Sequence, residues 1–285
     1  MSDWSDWVGR EQVQEDRLDD ALAARWLATF DRAPTERGEM PQGIHFSLCT
    51  PNTATSALGE DGHPLRSDGP GSFLPPVPLQ RRMWASSDIA FHAPVSTGAR
   101  ITRTSRIASI TPKSGKSGDM VFVNVAHDTH ADGALAVSEV QTLVYREAAP
   151  ADAPLSPPPS GDSGFDASEW DMVRTITPDP RLLFRYSALT FNTHRIHYDA
   201  PYARDVERYR GLVVHGPLTA SLLLQMAAEE LGENTLRTFA FRGISPAIAD
   251  EPLHLVMRHT GDAYELAAFA SDGRHITRAS ASIIA

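Results

Sequence analysis

Apolar residues recur at every fourth position at Leu18, Leu22, Trp26 and Phe30, a stripe that predicts a helix over Glu15 to Phe30. Pro34, Gly38 and Pro41 then interrupt it. Residues 50–80 show no period and are rich in Gly, Pro, Ser and Thr; a loop of that length is uncommon in a compact domain and tends to be functional. From Asp88 the period changes to two. Ile89 and Phe91 alternate, Pro94 and Gly98 mark a turn, and strands are predicted over Arg100–Ile110, Met120–Ala126 and Ala134–Tyr145. Lys113 to Gly118 reads as a loop tip, and Asp132-Gly133 as a hairpin turn. Met120–Ala126, apolar and β-branched almost throughout, is expected at the centre of a sheet.

Residues 148–161 are proline-rich and without period, so they read as a linker. Beyond them Gly216–Met226 is nearly all apolar, with Pro217 at a first helical position, where its fixed φ fits and its missing N–H costs nothing. A helix apolar nearly all round is buried on most sides. Strands follow over Phe239–Ile244, Leu253–His259, Ala263–Ala270 and His275–Ile283, the last pair turned by Asp272-Gly273. Each half thus has a Phe-bearing strand, a proline-bearing turn, an Asp-Gly hairpin and a closing strand, a pattern of internal duplication. The expected division is 1–147, a linker over 148–161, and 162–285. The fold class is α+β, with two antiparallel sheets, each wrapping a long helix and joined edge to edge.

The chain has 285 residues, 41% of them hydrophobic, enough for a substantial core. A formal net charge of −10 argues against nonspecific binding to nucleic acid, which needs a positive field. The single cysteine, Cys49, can form no disulfide framework within the chain and is expected to be a small buried hydrophobe. The start MSDWSDWVGREQ is acidic and polar, unlike a signal peptide, and no apolar run approaches the roughly 20 residues of a membrane span. Cytoplasm is the expected location.

Chemistry concentrates between Phe184 and Met226. His194, His197 and His215 lie among small and apolar residues, and the helix beginning at Gly216 would carry free N–H groups and the positive end of its dipole at that start. A loop is expected to deliver His197 to that helix end. His194 is read as either a supporting or a surface residue, His215 as a cap, and Asp199 as a stabiliser of the loop. The His194-x-x-His197 spacing lacks the companions of a metal site, so no metal is expected. Arg81 and Arg82, adjacent on an extended chain, point to opposite faces. One is a candidate to grip an anion; the alternative is a structural salt bridge. Arg242, Lys113 and Lys116 are weaker candidates for phosphate contacts.

The run Ser187-Ala188-Leu189-Thr190-Phe191-Asn192-Thr193-His194-Arg195-Ile196-His197-Tyr198-Asp199 resembles the active loop of the MaoC-like hydratases and dehydratases, which have the hot-dog fold. In that family an acidic residue precedes a catalytic histidine by five positions; Asn192 and His197 stand there in this sequence. His215-Gly216-Pro217-Leu218-Thr219-Ala220 resembles the start of the long hot-dog helix. Leu58-Gly59-Glu60-Asp61-Gly62-His63-Pro64 and Leu74-Pro75-Pro76-Val77-Pro78-Leu79-Gln80-Arg81-Arg82-Met83-Trp84-Ala85 are similar to the double-hot-dog subgroup that hydrates mesaconyl-C4-CoA (3-methylfumaryl-CoA).

The resemblance implies a hydro-lyase acting on a CoA thioester, with no cofactor beyond the CoA of the substrate. His197 would be the acid/base, Gly216 the amide that holds the thioester oxygen, and Asn192 the group that orients water. His194, His215, Arg81, Arg82 and Arg242 would contact substrate. An asparagine is not a general base, so the resemblance leaves the second proton-transfer group unassigned. A fatty-acid-type 3-hydroxyacyl-thioester dehydratase, a thioesterase and a non-catalytic acyl-thioester-binding subunit are the alternatives. The two halves imply either a pseudo-dimeric monomer or a homodimer.

Overall fold

Asp19 and Asp179 each close the start of a short helix by accepting the backbone amide three residues on, Leu22 and Leu182 respectively. They mark equivalent points of a repeated topology. The computed structural model describes residues 4–35, 37–67, 69, 71–115, 118–159, 161 and 164–284. The first half runs β1 (Glu11–Arg17), α1 (Asp20–Thr29), β2 (Glu39–Met40), β3 (Arg81–Phe91), β4 (Val95–Ser96), β5 (Arg100–Gly115), β6 (Gly118–Ala131) and β7 (Ala134–Arg146). The second runs β8 (Met172–Ile176), α2 (Pro180–Thr190), α3 (Ala200–Asp205), α4 (Gly216–Leu231), β9 (Leu236–Gly243), β10 (Leu253–Thr260), β11 (Ala263–Ala270) and β12 (His275–Ile283).

One ten-stranded antiparallel sheet, in the order β1-β5-β6-β7-β3-β9-β12-β11-β10-β8, carries both halves. Read outward from its centre, the order in one half reproduces the order in the other. The halves join at β3 and β9, with Ser86 opposite Arg242 and Ala90 opposite Thr238. Each inner strand is thereby covered by its counterpart, and no long edge is left at the middle of the molecule.

Helix α4 explains its own composition. Leu218, Ala220, Leu223, Leu224, Met226 and Ala227 are all buried, and the helix packs against β10, β11, β12 and β3. In β11 the run from Leu266 to Ala270 is buried without alternation. The strand is covered on both faces: Leu266 and Ala268 belong to the main core, while Ala267 and Phe269 pack with Val256 beneath Phe165 and Trp170.

Three expectations are corrected. The first helix begins at Asp20, because Glu15–Arg17 complete the edge strand β1 along β5. The strand expected from Asp88 starts at Arg81. The larger correction is that each half does not contain a long helix. At the place equivalent to α4, between α1 and β3, the described residues form β2 and short 3-10 turns at Ile44–Ser47 and Thr55–Ala57. Pro34, Pro41 and Pro51 break any helical run there, as do Gly43 and Gly62, whose φ angles are +104° and +88°. Residues from this irregular stretch instead line a large cavity beside α4.

The described residues of the proline-rich 148–161 are irregular, as expected, but tied to the second half: the Ser156 amide donates to the Arg208 carbonyl, and the Ser156 carbonyl accepts from the Arg210 amide. Cys49 is buried. Lys113 stacks on Phe122 near the end of β5, and Lys116 lies outside the described residues.

Candidate active site

The histidine loop begins where α2 stops. Phe191 takes a left-handed conformation (φ 48°), and the Asn192 amide turns back onto the Ser187 carbonyl. A bulky residue in that region costs about 1–3 kcal/mol, so the surrounding contacts must hold it. They do. Asn192 Oδ1 accepts the His194 amide at 3.0 Å. Asp199 accepts the Tyr202 amide at the start of α3 and pairs with Arg195 at 2.7 Å, which makes it a fastener of the loop, as expected. The loop then closes on the strand-like segment before α4, where Val213 donates to the Ile196 carbonyl.

His197 is the residue this scaffold orients most firmly. It is buried, and its Nδ1 lies 2.7 Å from the Val213 carbonyl oxygen. A carbonyl only accepts, so Nδ1 carries the proton and Nε2 is left with a lone pair. The ring stacks on His215 with centroids 3.5 Å apart and planes at 18°. His215 directly precedes α4 and contacts the Ser187 hydroxyl through Nε2 at 2.8 Å. The imidazole of the loop and the start of the long helix therefore share one spot. The Gly216 amide, the first of that helix, has no hydrogen-bond acceptor among the described residues and lines the cavity.

The cavity has a volume of about 1020 Å³ and draws its walls from both halves. That exceeds what a drug-sized ligand fills and leaves room for an acyl thioester with part of its carrier arm. His197, His194, Asn192, His215 and Gly216 all line it. His194 is not a surface residue: its ring packs 4.2 Å from His63 and edge-on to His197 at 5.5 Å. Burial, followed by repulsion from His194, holds the His197 ring down at about 3, against the opposing hydrogen bond to Val213. His215 is lowered by burial and then by His197, and His194 by burial and then by His63. At neutral pH these are uncharged imidazoles.

The arginines part as adjacent residues of a strand must. Arg82 lines the cavity, and among the described residues no hydrogen bond or ion pair holds its guanidinium. Arg81 faces away, buried and paired with Glu207 at 2.7 Å. Its expected substrate contact is corrected to a structural one, and Arg242 is exposed on β9 away from the cavity wall.

Two groups of cavity residues escaped the sequence reading. Asp61 and His63 form a hydrogen-bonded pair, Nδ1 to Oδ2 at 3.0 Å, beside His194. The Asp-Gly-His run in a long functional loop was the available signal. Deeper in the first half, the buried Glu139 and His45 form a polar cluster with the half-buried Arg103 and His127. These residues are scattered over four elements, and nothing local in sequence joins them.

Residues 43–249 match the family of type 2 hydroxyacyl-thioester dehydratases. The chain belongs to that family. It is 41% identical over 278 residues to the mesaconyl-C(4)-CoA hydratase of Chloroflexus aurantiacus, with 95% of each chain covered. It superposes on HtdX of Mycobacterium tuberculosis with a TM-score of 0.67 at 15% identity, covering 96% of this chain and 100% of that one. A second M. tuberculosis protein, whose structure is described as a double hotdog fold, gives a TM-score of 0.56 at 16% identity over 97% and 96% of the two chains. Those two likenesses show the fold. Membership of the dehydratase family makes this chain a hydro-lyase that adds or removes water at an acyl thioester. No described helix is long and apolar enough to cross a membrane.

Proposed function

We propose that the protein reversibly hydrates a short, branched enoyl-CoA diacid, mesaconyl-C4-CoA or itaconyl-CoA, to citramalyl-CoA. The observation that carries this reading is the His197 ring, proton-bearing at Nδ1 and open at Nε2, set beside the free amide of Gly216 in one cavity. In mesaconyl-C4-CoA the carbon that receives the hydroxyl also bears a carboxylate. Arg82, whose guanidinium on the cavity wall has no partner among the described residues, is the group to hold that carboxylate bidentately.

His197 Nε2 takes the proton from water as the oxygen bonds to the β-carbon. A neutral ring is the form that can do so, and burial keeps it neutral. Electron density moves to the thioester oxygen, which accepts from the Gly216 N–H at the positive end of α4. One such donor in a dry site is worth roughly 3 kcal/mol. Asn192, its Oδ1 occupied by the His194 amide, has its amide N–H groups left to donate to the attacking water. The neighbouring rings of His194 and His215 fix the His197 plane. This chemistry needs no cofactor beyond the CoA of the substrate.

The catalytic loop lies in 162–285, while 1–147 contributes Arg82 and much of the cavity, with 148–161 between them. The fused halves complete one site in one chain, so we read the protein as a pseudo-dimeric monomer. A single cysteine and a CoA-linked substrate fit a reducing cytoplasm.

Incubation with a panel of enoyl-CoA esters tests the reading by mass spectrometry. Gain of one water on the diacid esters supports it. Gain only on long monoacid esters means a fatty-acyl dehydratase, release of free CoA means a thioesterase, and no change with any ester removes the reading.

A further inference from the structure

The Asp61-Gly62-His63 turn comes from the half without a histidine loop, yet it is fitted into the histidine loop of the other half. The Arg195 amide donates to the Asp61 carbonyl at 2.9 Å, and Thr193 Oγ1 donates to the Gly62 carbonyl at 2.5 Å. Arg195 also reaches the Glu60 carbonyl at 3.1 Å through its guanidinium. Asp61 holds His63 twice, through Oδ2 to Nδ1 at 3.0 Å and through Oδ1 to the backbone amide at 2.9 Å. With Nδ1–H committed to the carboxylate, Nε2 is the nitrogen left over. It has no hydrogen-bond partner among the described residues, and His63 lines the cavity.

His63, His194, His197 and His215 stand in a row, with centroid separations of 4.2, 5.5 and 3.5 Å. Only His63 is hydrogen-bonded to a carboxylate. His194 feels the Asp61 charge without a hydrogen bond to it, and a proton on His197 or His215 meets neighbouring imidazoles and no carboxylate, so the row favours its positive charge at the His63 end. Asn192, in the place where the wider family has an acid, cannot exchange a proton.

We infer that His63, oriented and charge-balanced by Asp61, is the second proton-transfer group of the reaction, the acid that delivers a proton to the α-carbon. This rests on the hydration reading. In the forward direction a water O–H bond breaks and its proton goes to His197 Nε2. The oxygen bonds to the β-carbon, and the π electrons move toward the thioester oxygen. They return to form a C–H bond at the α-carbon with the proton from His63 Nε2. One water has been added, and the proton on His197 returns to His63 through solvent in the cavity. The groups facing His63 are Asp61, His194, His197, Arg82 and Arg66. Burial lowers its proton affinity first, the Asp61 hydrogen bond opposes that, and Arg82 lowers it further. A substrate carboxylate seated on Arg82 offsets this last effect and favours the charged ring when the diacid is bound.

His63→Gln and His197→Gln separate the two roles. The full-length protein is given mesaconyl-C4-CoA for hydration, and methylsuccinyl-CoA, the saturated ester, in D2O for exchange of the α-proton. His63→Gln is expected to lose 100-fold or more in both assays; His197→Gln loses hydration and keeps exchange. Asp61→Asn acts through His63, so its alkaline limb of kcat/KM against pH moves to lower pH, and Asp61→Glu restores part of the shift. Far-ultraviolet circular dichroism and retained binding of the saturated ester exclude misfolding. Hydration by His63→Gln within tenfold of wild type, or full α-exchange in that variant, overturns the inference. So does activity lost to a chelator and restored by a divalent cation, which would make the pair an ion site. If wild type hydrates no ester, the function above fails and the hydration role of His63 fails with it; hydration by wild type with α-exchange unaffected in His63→Gln overturns the His63 assignment alone.

Discussion

A Cβ added to Gly62 would lie 1.8 Å from the carbonyl oxygen of Thr193, and Gly62 holds φ at +88°. The two residues are far apart in sequence and belong to different halves. Their closeness is what locks the Asp61–His63 turn against the histidine loop, and only a residue without a side chain fits. Gly62→Ala must displace one of the two backbones and adopt a strained φ, at a cost of about 1–3 kcal/mol for the conformation alone. We expect a drop of several degrees in Tm and a fall of at least tenfold in kcat. Unchanged values for both would show that the turn floats free of the loop.

His197→Ala removes the ring that takes the water proton and leaves Val213 without its hydrogen-bond donor. Loss of a positioned acid/base group lowers kcat by roughly 10²–10⁴-fold. Binding of a saturated thioester, measured by isothermal titration calorimetry, should change little, because Gly216 and Arg82 remain. Ser187→Ala should have a smaller effect of the same kind, since Ser187 holds the His215 ring on which His197 stacks.

The loop and the helix were legible in the sequence because their signals are local. Pro217 at a helix start, an apolar run, and Asn192 five residues before His197 are all read within 35 residues. The strands from Arg100 onward were legible by their period of two and their Asp-Gly turns. The edge strands β1 and β8 were not. Their burial patterns alternate only between exposed and half-buried, so no apolar period announces them. The second half of the site was hidden for another reason. Asp61 and His63 belong to a segment with no period at all, and what places them is a fit to Thr193 and Arg195, a long-range contact that no pattern near residue 61 encodes.

Arg81 and Arg82 give a paired test, because neighbours on one strand serve opposite faces. Arg82→Ala should raise KM for a diacid ester by about 10–100-fold, the range expected when a charge-assisted contact worth about 1.5–3 kcal/mol is lost. KM for a monoacid enoyl-CoA should move little. Arg81→Ala should leave the KM ratio of the two esters alone and lower Tm, since it strands the largely buried Glu207 carboxylate. Arg242→Ala, exposed on the seam strand, should alter neither. Steady-state kinetics on both esters and a thermal melt decide among these outcomes.

Stability should depend on pH through the polar cluster of the first half. Burial raises the Glu139 carboxyl to about 7, against the Ser87 hydrogen bond and the Arg103 charge. In the unfolded chain the same group ionises near 4.5, so between these values the native state holds a proton that the unfolded state has released. This contribution falls as pH rises from about 4.5 to about 7. The histidines act in the opposite sense. His45, His127 and His197 are lowered by burial to about 3, 4 and 3, whereas an unfolded ring protonates near 6.5. Their contribution is complete above about 6.5 and is lost as pH falls toward 3–4. Three imidazoles outweigh one carboxyl, so Tm should drop steadily from pH 6.5 to 4.5. Glu139→Gln keeps an acceptor for Ser87 and removes the ionisation. Its Tm should exceed wild type by a margin that is negligible near pH 4.5, grows to about pH 7 and is constant above it. A margin independent of pH would show that the Glu139 carboxyl ionises in the folded protein as it does in water.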